Sequence, residues 1–318
     1  MNRRHLLSFS AALATTIAAR APAWAQDRPL RLVVPYAPGG GIDVQARALA
    51  LPLGNALSRS VVVVNMAGGN TLIATDNVRR SAPDGSSILL IPAVAWIGFH
   101  ASGTFTYEPW ATLLPIGQIA EAPYNFLQTR VGSGLDSWEK VRTYARRTPG
   151  GIKIGGPSSG GFVGFTVDEI LRRGGIEGVY APFSGASPAH TALLGGTVDM
   201  TILSFGDGMV NVNSGATHGI AVSSAMRHPR APQVPTFAEL GIGETLQNTF
   251  SLWAPPGTPA DLIAKLASAV RSATEDAAFR SAMEERFSFT VAFKDGGAVS
   301  RDLAAVERDW GSRLKAAK

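Results

Sequence analysis

Four times along this chain a short apolar run is broken by a cluster of small residues and then followed by a helical pattern. That repetition restricts the fold more than any other feature. Strand, turn and helix in succession build right-handed crossovers between parallel strands. In such sheets the turns at the carboxyl ends of the strands line the ligand crevice. Two of the four turns lie in the first third of the chain and two in the middle, which predicts two α/β lobes facing each other.

The first unit runs from Arg31 to Arg47, R-L-V-V-P-Y-A-P-G-G-G-I-D-V-Q-A-R. Leu32 to Val34 reads as a strand, Pro35, Pro38 and Gly39 to Gly41 break it, and Ala46, Leu49, Ala50 and Leu53 mark a helix face. This geometry aims backbone N–H groups and the positive end of a helix dipole at one spot, which attracts an anion. No Gly-Lys-Ser/Thr follows, so the loop is not a Walker A site, and Asp43 and Val44 stand where a dinucleotide fingerprint needs glycine. A carboxylate ligand, or a turn that only reverses the chain, both remain open on these residues.

The second unit joins Val61 to Val64, which reads as a buried strand, to the turn Ala67-Gly68-Gly69-Asn70-Thr71 and a helix over 72–80. Pro83-Asp84-Gly85 is a turn signal, and Ile88 to Ile91 a third strand. The stretch 116–128 is extended and suits a crossing between lobes; Phe250 to Ala254 suits the return. Between them, a helix over 137–147, a strand at 152–154, the turn 155–161, a helix to Leu171, a strand at 178–180, the turn 182–186, a helix over 190–194 and strands at 198–203 and 220–222 are expected. A helix after Pro259, a strand at 290–293 and an amphipathic helix over 299–315, with Leu303, Val306, Trp310 and Leu314 on one stripe, complete the chain.

The N-terminus carries the marks of an export signal: Arg3-Arg4, an apolar stretch from Leu6 to Ala19, and Ala23-Trp24-Ala25 as the cleavage site. General secretion and the twin-arginine route explain it equally. Of 29 Lys and Arg against 24 acids, cleavage removes three arginines and no acid, so the net charge falls from +5 to +2. Nucleic acid is therefore not an expected partner. Cysteine is absent, which excludes disulfides, thiol nucleophiles and thiolate metal sites. The histidines show no metal spacing, so no metal or other cofactor is expected.

One catalytic pattern has to be weighed. Gly156-Pro157-Ser158-Ser159-Gly160 matches G-x-S-x-G between a strand and a helix, the setting of a serine nucleophile. Asp168, Asp199 or Asp207 with His190, His218 or His228 would complete a hydrolase triad. Against it, the chain holds 35 glycines, Pro157 suits a strained elbow poorly, and no oxyanion motif precedes it.

The segments R-P-L-R-L-V-V-P-Y-A-P-G-G-G-I-D-V-Q-A-R, V-V-V-V-N-M-A-G-G-N, A-P-D-G-S-S-I-L-L, P-F-S-G-A-S-P-A-H-T-A-L-L-G-G-T-V-D-M, V-P-T-F-A-E-L-G and L-W-A-P-P-G-T-P-A occur in this order. Together they resemble the tripartite tricarboxylate transporter substrate-binding proteins, also called the Bug family. The resemblance implies a non-enzymatic periplasmic receptor with a Venus-flytrap fold, mainly parallel sheets flanked by helices. It implies a signal peptide over 1–25, a first lobe over 26–121 and 252–318, and a second lobe over 122–251. The ligand would be a small organic carboxylate held between the lobes for uptake or sensing, by a monomer that serves membrane transporter subunits or a sensor.

Family members hold that carboxylate through backbone N–H groups, small hydroxyls and water. Here those roles would fall on Tyr36, Pro38, Gly39, Gly40, Gly41 and Asp43, and on Gly68, Gly69, Asn70 and Thr71. The other lobe would contribute Ser158, Ser159, Gly160, Gly161, Phe183, Ser184, Gly185 and Ala186. Asp43 is expected to cap the helix and fix the glycine loop, since its charge repels an anion. The chain departs from the family pattern at Gly69-Asn70-Thr71, at Phe165 in place of a histidine, at Phe183-Ser184 in place of Tyr-Lys, and at Leu203 in place of an aspartate. A more apolar second-lobe surface follows, suited to an aromatic or apolar carboxylate.

Overall fold

The computed structural model describes residues 28–39, 41–101, 103–122, 125–157, 162–183, 185–224, 226–243, 248–286 and 289–316. The expected signal peptide lies outside the described residues. The chain begins with β1 (Leu30–Val34), α1 (Gly41–Leu57), β2 (Val61–Asn65), α2 (Leu72–Arg79), β3 (Ser87–Pro92), α3 (Val94–Ala101), α4 (Pro109–Thr112) and β4 (Leu114–Ala122). It continues with β5 (Phe126–Arg130), α5 (Trp138–Arg147), β6 (Ile152–Pro157), α6 (Phe162–Gly174), β7 (Gly178–Phe183), α7 (Ala186–Leu194), β8 (Met200–Leu203), α8 (Phe205–Asn213) and β9 (Thr217–Val222). Last come β10 (Asn248–Ala254), α9 (Ala260–Glu275), α10 (Ala277–Ser281), a π-helical turn (Ala282–Arg286), β11 (Thr290–Asp295) and α11 (Gly296–Ala316).

The strands form two sheets, ordered β11-β4-β10-β3-β1-β2 and β7-β6-β8-β5-β9, each the centre of one lobe. The strand–helix–strand units pair in parallel: β1 with β2 and β3, β6 with β7 and β8. β10 pairs antiparallel with β3 and β4, β11 with β4, and β5 with β8 and β9, so both sheets are mixed. The return of the chain falls upstream of the expected stretch. Phe250 pairs with Pro92 and Ala120, inside the first sheet.

Strand directions place the two lobes. β3 is antiparallel to β10 and β10 to β4, so β4 runs with β1, β2 and β3. The chain therefore leaves the first sheet, after Ala122, on the edge where Val34, Asn65 and Pro92 end. It enters the second sheet at Phe126, which stands opposite Leu203 at the end of β8. β8 runs with β6 and β7. The carboxyl edges of both sheets thus face the crossing, and the helices that follow β3 and β6 meet across it: Val94, Trp96, Val163 and Phe165 share one buried cluster.

Helices cover both faces of the first sheet, which is why its strands read as continuous apolar runs. Leu30, Leu32 and Val34 point to the side of Leu49, Leu53, Leu266 and Val270. Val33, between them, points to the side of Ala74 and Val78. Each of these is 0–2% exposed, and each Leu or Val buried in this way stabilises the fold by about 1.5–3 kcal/mol. β2 differs from the sequence expectation. It is the sheet edge, so one side of its valine run has no neighbour, and Val62 is 47% exposed.

Several polar residues of the sequence prove to be caps. Ser137 Oγ accepts from Lys140 N–H at the start of α5, and Ser204 Oγ from Asp207 N–H at the start of α8. In V-P-T-F-A-E-L-G, Thr236 N–H donates to Glu239 Oε2 at 2.7 Å and Glu239 N–H to Thr236 Oγ1 at 3.1 Å, a reciprocal capping box.

Candidate functional site

The first glycine turn is held by a buried carboxylate. Asp43, 2% exposed in the first turn of α1, accepts from Gly39 N–H at 2.8 Å and from Arg47 Nε at 2.9 Å through Oδ2. Its Oδ1 accepts from Asn65 Nδ2 at 2.9 Å, and the same amide reaches Tyr36 O at 3.0 Å. The turn after β1 is thereby tied to the end of β2 and to α1. One consequence is that the amide proton of Gly39 is already committed to Asp43. Asn65 and Arg47 were not legible as site residues, although Asn65 is the first polar residue after four valines.

Burial pushes the Asp43 carboxyl up, but hydrogen bonds from Arg47, Gly39 and Asn65 and the Arg47 charge together hold it below the usual range. A carboxylate depressed in the folded state contributes stability above its unfolded pKa and loses it as pH falls through the folded value. The stability margin of the parent over Asp43→Asn should therefore be constant from neutral pH to about pH 5 and shrink below about pH 4, the ordinary aspartate value. Chemical denaturation of both proteins across that range checks it. A margin that grows on acidification contradicts this network.

The second turn stores backbone strain. Gly68, Gly69, Asn70 and Thr71 take φ of +124°, +56°, +49° and +73°. For the β-branched Thr71 that is an outlier, of the kind that collects where a ligand is clamped. Thr71 caps α2 without a side-chain hydrogen bond to the helix. Its hydroxyl is buried, the residue being 2% exposed, and has no partner among the described residues. Gly68, Gly69 and Asn70 are exposed, and Asn70 Nδ2 reaches Thr104 Oγ1 at 3.4 Å. Tyr36 is half-buried, and Pro38 and Gly39 are exposed beside it. Gly41 begins α1. Gly40 lies outside the described residues.

On the second lobe β6 and β7 run in parallel and end on the edge that faces the crossing. Phe183 ends β7, Gly185 precedes α7 and Ala186 opens it, all three half-buried. Ser158, Ser159, Gly160, Gly161 and Ser184 lie outside the described residues. Leu203 is buried at 2% exposure opposite Phe126, so an apolar side chain closes that end of β8.

Four of the groups a hydrolase would draw on are placed as follows. Asp199 accepts from Lys153 N–H at 2.8 Å and from Tyr144 Oη at 3.1 Å, and Asp207 accepts from Ser204 Oγ at 2.7 Å. His228 stacks on Phe205 at 3.7 Å, and His218 sits in β9 opposite Thr129. Burial lowers the pKa of His190, whose Nδ1 finds no partner among the described residues. Gly156 has a packing reason of its own: a Cβ there would stand 2.8 Å from Ile202 Cγ2 and 3.1 Å from both Ile202 O and Tyr180 Cε2. No metal-holding group of His, Asp and Glu occurs among the described residues, and none of their helices is long and apolar enough to cross a membrane.

Two mixed sheets flanked by helices, with the carboxyl ends of their parallel strands towards one crossing, define a solute receptor of the periplasmic-binding type. Residues 45–307 match the tripartite tricarboxylate transporter family receptors, and the chain belongs to that family. It is 29% identical over 327 aligned residues to protein BugT of Bordetella pertussis, across 99% of this chain and 100% of that protein. Its structure is similar to that of the periplasmic binding protein BugD, with a TM-score of 0.78 at 27% identity, covering 92% of this chain and 98% of BugD. MatC from Rhodopseudomonas palustris, solved with bound malate, shares the fold at a TM-score of 0.76 and 23% identity, covering 91% and 98% of the two chains. The chain is accordingly a receptor, not an enzyme.

Proposed function

We propose that this receptor binds a small organic carboxylate with an apolar or aromatic body in the cleft between its lobes. The observation that carries the reading is Thr71: a buried hydroxyl without a partner among the described residues, at the N-terminus of α2, on a strained turn at the carboxyl edge of the sheet. A buried polar group left unpaired is costly, and an anion at a helix N-terminus supplies the partner it lacks. Malate in MatC is likewise a small organic carboxylate, though without the apolar body proposed here.

In this reading the carboxylate docks on the first-lobe turns, 36–41 and 68–71. The second lobe then closes with 158–161 and 183–186. The lobes divide near residue 121 and again ahead of β10, with hinges at the two crossings. Closure removes water and strengthens the N–H and hydroxyl contacts in a lower dielectric. The protein is exported as a monomer, with its signal cleaved after Ala25, and delivers the solute to membrane transporter subunits or reports it to a sensor.

A library of mono-, di- and tricarboxylic acids, aromatic acids included, should contain ligands that raise the melting temperature and give calorimetric heat. Thr71→Val keeps the β-branched shape and removes only the hydroxyl. It should leave the free protein as stable or up to about 1 kcal/mol more stable, and weaken the best acid about tenfold. A library without a single hit would remove the reading's main support.

A further inference from the structure

The C-terminal helix reaches further than the lobe it belongs to. α11 follows β11 of the first sheet and buries Val299 and Leu303 in the cluster it shares with α3. Val306 and Trp310 continue the same stripe towards the second lobe. There the Trp310 ring stands edge-on to Phe165, with centroids 5.8 Å apart and planes at 88°. The Arg173 guanidinium lies 5.6 Å from the same ring. Phe165 and Arg173 both belong to α6 of the second lobe.

Arg173 is itself held in place. Its Nε donates to Glu169 Oε2 at 2.6 Å, and its Nη1 to Ile242 O at 3.3 Å, on the segment that leads back into β10. Glu169 is 7% exposed and also accepts two hydrogen bonds through Oε1 and one through Oε2 from Arg172. One guanidinium therefore joins the second-lobe helix, the return crossing and, through the indole, the first lobe. Edge-to-face pairs and cations over indole faces are both attractive arrangements, and Trp is the best platform for the latter.

We propose that Trp310 is an interlobe clasp: α11 straps the first lobe to α6 of the second, and the indole docks on Phe165 and Arg173 when the lobes are closed. This rests on the reading that the lobes close over a solute. The clasp sets the fraction of ligand-free molecules already closed. Apparent affinity scales with that fraction, so the clasp tunes affinity without touching the solute.

Because the chain has no cysteine, two introduced cysteines take spin labels at chosen points only. Leu51, 72% exposed on the first lobe, and Val179, 52% exposed on the second, are suitable. Pulsed electron paramagnetic resonance on the ligand-free protein then reports the interlobe distance. In the Trp310→Ala variant the closed fraction relative to open should fall about tenfold, with Trp310→Phe recovering part of it. Trp310→Leu keeps the apolar cover of the first lobe and should shift the distance as Trp310→Ala does, so the test stays decisive if the alanine variant melts. Phe165→Leu added to Trp310→Leu should change little more, since the pair acts as one. An unchanged distance distribution in Trp310→Leu overturns the clasp. No solute enters this measurement, so its failure leaves the carboxylate reading to be decided by the acid library.

Discussion

Replacing Asp43 by alanine should cost about 2–3 kcal/mol of stability and lower the melting temperature by about 5 °C. Gly39 N–H and Asn65 Nδ2 both lose the buried carboxylate they donate to, and charge-assisted hydrogen bonds of this kind are the stronger ones. The Arg47 ion pair contributes little of this. Its side chain is 55% exposed and can return to water, so Arg47→Met should cost much less than Asp43→Ala. Solute affinity should follow the loop, with Asp43→Ala weakening binding more than tenfold and Arg47→Met only slightly. Thermal denaturation and titration calorimetry on the two variants separate these effects. If both variants behave alike, the ion pair rather than the hydrogen-bonded turn is what holds the site.

Gly156→Val should be as damaging, by about 2–4 kcal/mol, for a different reason. Its Cβ would already stand 2.8 Å from Ile202 Cγ2, and the two further methyls of valine have no space between β8 and Tyr180. Ile202 is 1% exposed and cannot give way. The loss should be confined to the second lobe: amides of β6, β7 and β8 should exchange faster while those of β1 and β3 keep their protection. Gly164→Ala is the contrasting control. Its Cβ would meet Tyr180 ring atoms at 3.5 and 3.7 Å, ordinary contact, and alanine suits α6 better by up to about 1 kcal/mol. That variant should be slightly stabilised. Equal exchange in both lobes of Gly156→Val would show that this strand junction is not where the second lobe is vulnerable.

Much of the molecule could be read without coordinates, where local chemistry and outcome coincide. The runs at Leu32 and Ile88 became strands because β-branched and leucine side chains, covered on two faces, need no polar alternation, and the run at Val61 became one although it lies at the sheet edge. Ser137 became a cap because its hydroxyl can only serve the helix that starts beside it. α3 was invisible for the converse reason. Its residues Val94 to Phe99 are all buried, so no polar face interrupts them to reveal a helical period. α8 hid behind Gly206 and Gly208, which read as loop, although Gly208 is required because a Cβ there would stand 2.2 Å from the Phe126 ring. The return crossing was placed too late because Phe250 to Ala254 reads equally well as a linker or as a central strand.

What this chain determined by itself was most of its strand, turn and helix units and, through motif order, its kinship with the tricarboxylate transporter receptors. Those are local matters, decided by side-chain period, glycine torsions and capping within a few residues. Only the tertiary structure decided that Asp43 takes its partners from Gly39, Arg47 and Asn65, that the Thr71 hydroxyl has no partner among the described residues, and that Trp310 reaches Phe165 across the lobes. These contacts join residues that no spacing relates, because strand order and direction, not sequence distance, determine which turns meet.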